Sequence, residues 1–150
     1  MNEQHQKLIE RMGRYYEADG LPRIAGRLFG YLLLEDEARS LDEMAAALAV
    51  SKTSVSTNAR LLEQTGLLER VTRPGDRKDY YQLAADQSRM IELKMQGMQE
   101  MQSILESAAA VADESGADPS VRKRIRSMYR FNVEAYQVVT QLLESWTPEE

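Results

Sequence analysis

Apolar residues recur at helical spacing over most of this chain, and the pattern shortens to strand length in only one place. Leu8, Ile9, Met12, Tyr15 and Tyr16 share one face, which predicts an amphipathic helix from Gln4 to Ala18. Asp19-Gly20 breaks it, and Pro22 suits the first turn of a second helix, where a missing N–H costs nothing. That helix is expected to reach about Leu34, with Ile24, Leu28 and Leu32 inward. Gly26 and Gly30 lie one turn apart on it, and each costs about 1 kcal/mol relative to alanine in a helix interior. A close helix contact at that face would explain both.

Ser40 with Glu43 reads as a capping box that opens a short helix, Leu41 to Leu48. Ser51 caps the next helix, from about Lys52 to Thr65, and Gly66 stops it. The tripeptide Ala49-Val50-Ser51 between them makes the pair a helix-turn-helix. Residues 67–72 and 79–83 have strand-like composition and flank Pro74-Gly75, a strong turn signal, so they predict a β-hairpin. A long helix is expected from Ser88 to about Ala112, with Ile91, Met95, Met98, Leu105 and Ala109 on one stripe. The breaker-rich connector DESGADPS follows. Asp118 caps and Pro119 starts a last helix to about Ser145, striped by Val121, Ile125, Met128, Tyr136, Val139 and Leu143.

The predicted fold class is mainly α with a small β-hairpin (α+β): a winged helix-turn-helix flanked by N- and C-terminal dimerisation helices. The corresponding segments are 1–19 as the N-terminal dimerisation helix, 20–85 as the winged helix-turn-helix and 86–150 as the C-terminal helical dimerisation region. With 150 residues, the winged helix alone is too small to cover the apolar stripes at both ends, so a second copy of the chain is the expected cover. A monomer with its arms folded back is the alternative.

Composition narrows the chemistry. The chain has no cysteine and one histidine, His5 in a polar stretch, so disulfides, thiolate metal sites and cysteine nucleophiles are excluded and histidine chemistry nearly so. Neither a catalytic group nor a metal or cofactor site is expected. No apolar run reaches the length of a membrane span, and the first residues lack a signal-peptide pattern, so a soluble, cytoplasmic protein is expected. The net charge of −5 argues against nucleic acid only until it is mapped. Residues 84–119 hold seven acids against two bases, whereas 40–83 balance overall and concentrate their bases locally.

The second helix of the motif places Val55, Ala59 and Leu62 toward a core. Its other face carries Ser51, Lys52, Thr53, Ser54, Ser56, Thr57, Asn58 and Arg60, with no acid before Glu63. Hydroxyls and cations at a helix N-terminus can hold phosphates and reach base edges in a major groove. Four serines and threonines in a run of five positions are poorly explained by helix stability. The hairpin adds Arg70, Arg73, Gly75, Asp76, Arg77 and Lys78. Its turn is expected to push Arg73 and Arg77 outward together, Asp76 holding the Arg77 guanidinium in one direction. Such an arginine suits a narrow minor groove. Helix, turn, helix and basic hairpin in that order make a winged helix, and duplex DNA is the expected partner.

Several stretches resemble the MarR superfamily, and specifically its GbsR-like branch: Gly20-Leu21-Pro22-Arg23 with Gly26-Arg27, Val50-Ser51-Lys52, Leu62-Glu63 before Gly66, and Pro74-Gly75-Asp76-Arg77-Lys78 before Tyr80-Tyr81. The resemblance is specific over residues 20–83. It implies a homodimeric, sequence-specific transcriptional regulator, usually a repressor, tuned by a small effector. It also implies Arg77 in the minor groove and terminal helices that dimerise. The branch is associated with choline or betaine, which implies that effector class. Tyr15, Tyr16, Tyr31, Tyr129, Tyr136 and Trp146 could form an aromatic box for such a cation if some of them converge, or could be ordinary packing. The alternative function is a winged-helix protein–protein interaction module without DNA binding, which has no need of a basic wing.

Overall fold

A computed structural model describes residues 1–149. It has six helices among these: α1 (Glu3–Ala18), α2 (Arg23–Leu32), α3 (Leu41–Leu48), α4 (Lys52–Gln64), α5 (Ser88–Glu114) and α6 (Pro119–Ser145). Three short strands, β1 (Arg39–Ser40), β2 (Leu68–Val71) and β3 (Tyr80–Leu83), form an antiparallel sheet in the order β1-β3-β2. The mainly helical winged-helix architecture is therefore present, with one strand more than the hairpin. β1 is two residues long, too short to leave an alternation in the sequence. It pairs Arg39 with Tyr81 and Ser40 with Tyr80.

The chain divides into two compact units, 1–87 and 88–150. In the first, the core is built from Leu28 and Leu32 of α2, Met44 and Leu48 of α3, Val55, Ala59 and Leu62 of α4, and Tyr81 of β3. Four local signals set its elements. Asn2 caps α1 by accepting from the His5 amide. Ser40 and Glu43 make the reciprocal capping box of α3, Ser51 accepts from the Ser54 amide, and Gly66 ends α4 at φ 79°. Helix α2 stops at Leu32, two residues short of expectation, and Pro22 is its extended cap residue rather than part of its first turn.

The paired glycines of α2 do mark a close contact. A Cβ on Gly26 would stand 2.5 Å from the Met12 carbonyl oxygen, and one on Gly30 would stand 3.1 Å from Ile9 Cα. The backbones of α1 and α2 can approach this closely only without side chains there.

The second unit is a helical hairpin. Asp118 caps α6 by accepting from the Ser120 amide, and Pro119 opens it. Arg122 faces Asp113 at 3.8 Å, and Arg130 pairs with Glu134 on its own helix. Arg122 thus pairs across the hairpin with an acid of α5, while Glu106 accepts from the Tyr129 hydroxyl and Glu92 pairs with Arg89 on its own helix. Helix α6 has no buried residue, and Phe131 is 76% exposed.

Candidate nucleic-acid interface

Helix α4 turns one face to the core and the other outward. Val55, Ala59 and Leu62 are buried, whereas Ser51, Lys52, Thr53, Thr57 and Arg60 are exposed and Ser54 and Ser56 half-buried. Asn58 departs from the expected outward set. It is 8% exposed, and its Nδ2 donates to the Ser54 carbonyl oxygen at 2.8 Å, so it lies on the inner side of the helix. Three positions after Val55, it stays on the buried stripe. Ser51 is committed to capping, its hydroxyl 3.0 Å from that of Ser54. Lys52 meets Asp42 of α3 at 3.2 Å, an exposed pair that water and salt weaken readily.

The wing is shaped from within. Arg73-Pro74-Gly75-Asp76 is a turn closed by the Asp76 amide donating to the Arg73 carbonyl oxygen at 3.1 Å, with Gly75 at φ 76° as a type II turn requires. The Asp76 carboxylate accepts from the Lys78 amide at 2.9 Å and from the Tyr80 hydroxyl at 2.6 Å. The Tyr80 hydroxyl first, and then the Lys78 amide, holds this carboxyl below the usual aspartate range, and the same bond pushes the phenol up. Asp76 therefore fixes the wing's own backbone and ring and makes no ion pair with Arg77, contrary to expectation.

The two wing arginines also part company. Arg73 folds back across the sheet, its guanidinium carbon 3.8 Å from the Tyr80 ring centroid and its Nη2 donating to the Ala38 carbonyl oxygen at 3.0 Å. Arg70 turns toward the far end of α4, bonding both oxygens of Glu63 at 3.2 and 3.3 Å with Asp79 at 3.7 Å. Arg77 and Lys78 are exposed and make no ion pair among the described residues. The outward charge of the wing is thus narrower than the sequence suggested.

What remains is brought together. A hollow of about 240 Å³ is bordered by Asp42 and Lys52 on one side and by Arg77 and Lys78 on the other. The N-terminus of α4 and the outer end of the wing therefore open onto one surface. The start of α4 with Lys52, and Arg77 and Lys78 of the wing, place three cations beside Asp42 and Asp79 around that hollow, and a positive helix end with cations in excess suits a polyanion.

The aromatic residues form no cage within either unit. In the first, Tyr15 is 62% exposed and touches Tyr16 edge-on at 6.1 Å, Tyr16 tilts against Phe29, and Tyr31 lies elsewhere beside Ile9 and Leu34. In the second, Tyr129 bonds Glu106, Tyr136 accepts from Gln99, and Trp146 lies beyond the end of α6. Tyr129 and Trp146 are about 25 Å apart along the helix rise. Spacing on separate helices carried no information about convergence.

A family model described as MarR family matches residues 19–79. Over 125 residues the chain is 39% identical to the HTH-type transcriptional regulator MmpR5 of Mycobacterium tuberculosis (strain ATCC 25618 / H37Rv), covering 81% of this chain and 74% of that one. The chain belongs to the MarR family. A crystal structure of a transcriptional regulator, 35% identical, superimposes with a TM-score of 0.84 over 94% of this chain and 96% of its own. The HTH-type transcriptional repressor OpcR of Bacillus subtilis (strain 168) is 31% identical over 79 residues, 53% of this chain and 43% of that protein. As a member of the MarR family, the protein is a DNA-binding transcriptional regulator and not an enzyme. No helix among the described residues is long and apolar enough to cross a membrane.

Proposed function

We propose that this MarR-family protein is a cytoplasmic, sequence-specific repressor that binds its operator as a homodimer. In this reading α4 enters the major groove, and Thr53, Ser54, Ser56, Thr57 and Arg60 face the bases and their flanking phosphates. The wing enters the adjacent minor groove, led by Arg77 and followed by Lys78, with Gly75 allowing close approach. Lys52 holds the DNA backbone at the helix start, which the Ser51 cap fixes in place. Arg70, Arg73, Asp76 and Asn58 shape the interface from behind. The observation that carries this reading is the single hollow that Lys52 shares with Arg77 and Lys78.

Residues 20–85 form the reading head, and 1–19 with 86–150 supply dimer contacts. Support for a second copy comes from α6, where Met128, Phe131, Val138 and Leu142 follow one another at spacings of three, seven and four residues, all near whole helical turns, and are at least half exposed. Membership of the GbsR-like branch rests on the matches at Gly20–Arg23, Gly26-Arg27 and Pro74–Lys78. The branch brings with it a choline- or betaine-type effector, which acts only if it binds one spacing of the heads better than another. Calorimetry with both compounds at millimolar concentration tests that part, and no heat removes it.

Titrating salt into complexes with duplex DNA tests the reading as a whole. Phosphate contacts give an affinity that falls steeply as salt rises. Binding that is absent or indifferent to salt across many duplexes points to a protein–protein interaction module instead.

A further inference from the structure

The turn between α3 and α4 contains a strained residue. Ala49, at φ 54° and ψ 45°, is the one non-glycine residue with positive φ among those described. In that conformation Cβ crowds its own carbonyl, so the surrounding structure must hold the turn in place. The Leu48 carbonyl belongs to the peptide that enters Ala49, and the last carbonyls of a helix have no partner within it. Arg27 supplies one: its Nη2 donates to the Leu48 carbonyl oxygen at 3.0 Å.

The same guanidinium reaches the other way. Its Nε donates to Glu10 of α1 at 2.8 Å, and Glu10 also accepts from Arg23 at 3.1 Å. Only 21% of the Arg27 side chain is exposed. Gly13 of α1 makes room for its stem, since a Cβ there would stand 2.8 Å from Arg27 Cγ. Bonds to a charged group are roughly twice as strong as neutral ones and direct the planar guanidinium along two edges.

We propose that Glu10, Arg27 and the Leu48 carbonyl form a strut that sets the pose of α4 from α1, so that Arg27 is a positioning residue for DNA readout. A displacement of α1 is then felt at the turn from which the recognition helix starts. The proposal rests on α4 being the reading helix. It differs from a stability role because it predicts coupling to one strained backbone position.

The test is a double-mutant cycle on a duplex selected from a random library by the wild-type protein. Arg27→Gln should weaken binding about tenfold, the size of one charge-assisted hydrogen bond, and leave the salt slope unchanged because no phosphate contact is lost. Ala49→Gly removes the strain, so it should restore most of that affinity in the Arg27→Gln background while changing wild-type affinity little. Circular dichroism and thermal melts establish that each variant is folded, and if Arg27→Gln does not fold, the milder Arg27→Lys, expected to lose less than tenfold, carries the same cycle with Ala49→Gly. Wild-type affinity in Arg27→Gln or Arg27→Lys, or equal effects of Ala49→Gly in both backgrounds, overturns the strut. Arg77→Ala is measured alongside. If it too binds like wild type, the interface reading has failed; if it alone loses affinity, only the strut has.

Discussion

Arg73 lies over the Tyr80 ring and bonds the carbonyl of Ala38, the residue before β1. This arginine crosses the middle strand and ties the wing to the opposite edge of the sheet. Its neighbour in the loop, Arg77, is left to face outward. The two should respond differently to truncation. Arg77→Ala is expected to weaken duplex binding by about 1–3 kcal/mol with no change in melting temperature. Arg73→Ala should lower the melting temperature and speed amide exchange across residues 68–83. Equal loss of binding with no change in exchange for both would contradict the division.

Asp76 gives the wing a pH dependence with a definite sign. Its carboxyl is held below its ordinary value of 3.8 by the Tyr80 hydroxyl and the Lys78 amide. A depressed carboxyl stabilises the fold above its unfolded value and loses that contribution as pH falls through the folded one. The wing should therefore keep its order through neutral pH and loosen only below about pH 4. Asp76→Asn should remove that acid transition and bring the Tyr80 phenol back toward its usual value, as NMR titration of the ring would show. An unshifted phenol in the wild-type protein would count against the bond.

Gly26→Ala places a methyl group 2.5 Å from a carbonyl oxygen of the neighbouring helix. Because that obstacle is backbone, α1 and α2 must separate, at a cost of about 1–3 kcal/mol. Gly97 on α5 has nothing within 4 Å of the same position, so Gly97→Ala should be neutral or stabilising. Urea midpoints of the two variants make the comparison, and similar midpoints would contradict the close crossing.

The outward stripe of α6 is tested by charge. Val138→Glu puts a carboxylate in a seam that a second copy is proposed to cover, and should shift sedimentation from dimer to monomer. The melting temperature of a chain already monomeric would be unaffected by that exposed change, and that result would contradict the seam.

The signals legible in the sequence were local ones. The capping box at Ser40, the caps at Ser51 and Asp118, the stop at Gly66 and the Pro74-Gly75 turn all depend on residues within a few positions of each other. The outward face of α4 followed from the spacing of Val55, Ala59 and Leu62. What the sequence hid was long in range. Arg73 meets Ala38, and Arg27 meets Glu10 and Leu48, across 35, 17 and 21 residues. No periodicity reports such meetings, so an arginine that braces the sheet looked like one that reaches for DNA. β1 was hidden because two residues cannot alternate, and within each unit the aromatic residues do not gather, because sharing a type does not imply sharing a place.

Joint engagement of one duplex by α4 and the wing is tested most directly by chemical footprinting of a selected site with wild-type protein and Arg77→Ala. The wild-type protein should protect purine positions in the major groove and also a flanking stretch of minor groove, and Arg77→Ala should lose the second protection while keeping the first. A wild-type footprint confined to one groove, or an Arg77→Ala footprint unchanged in both, would contradict it.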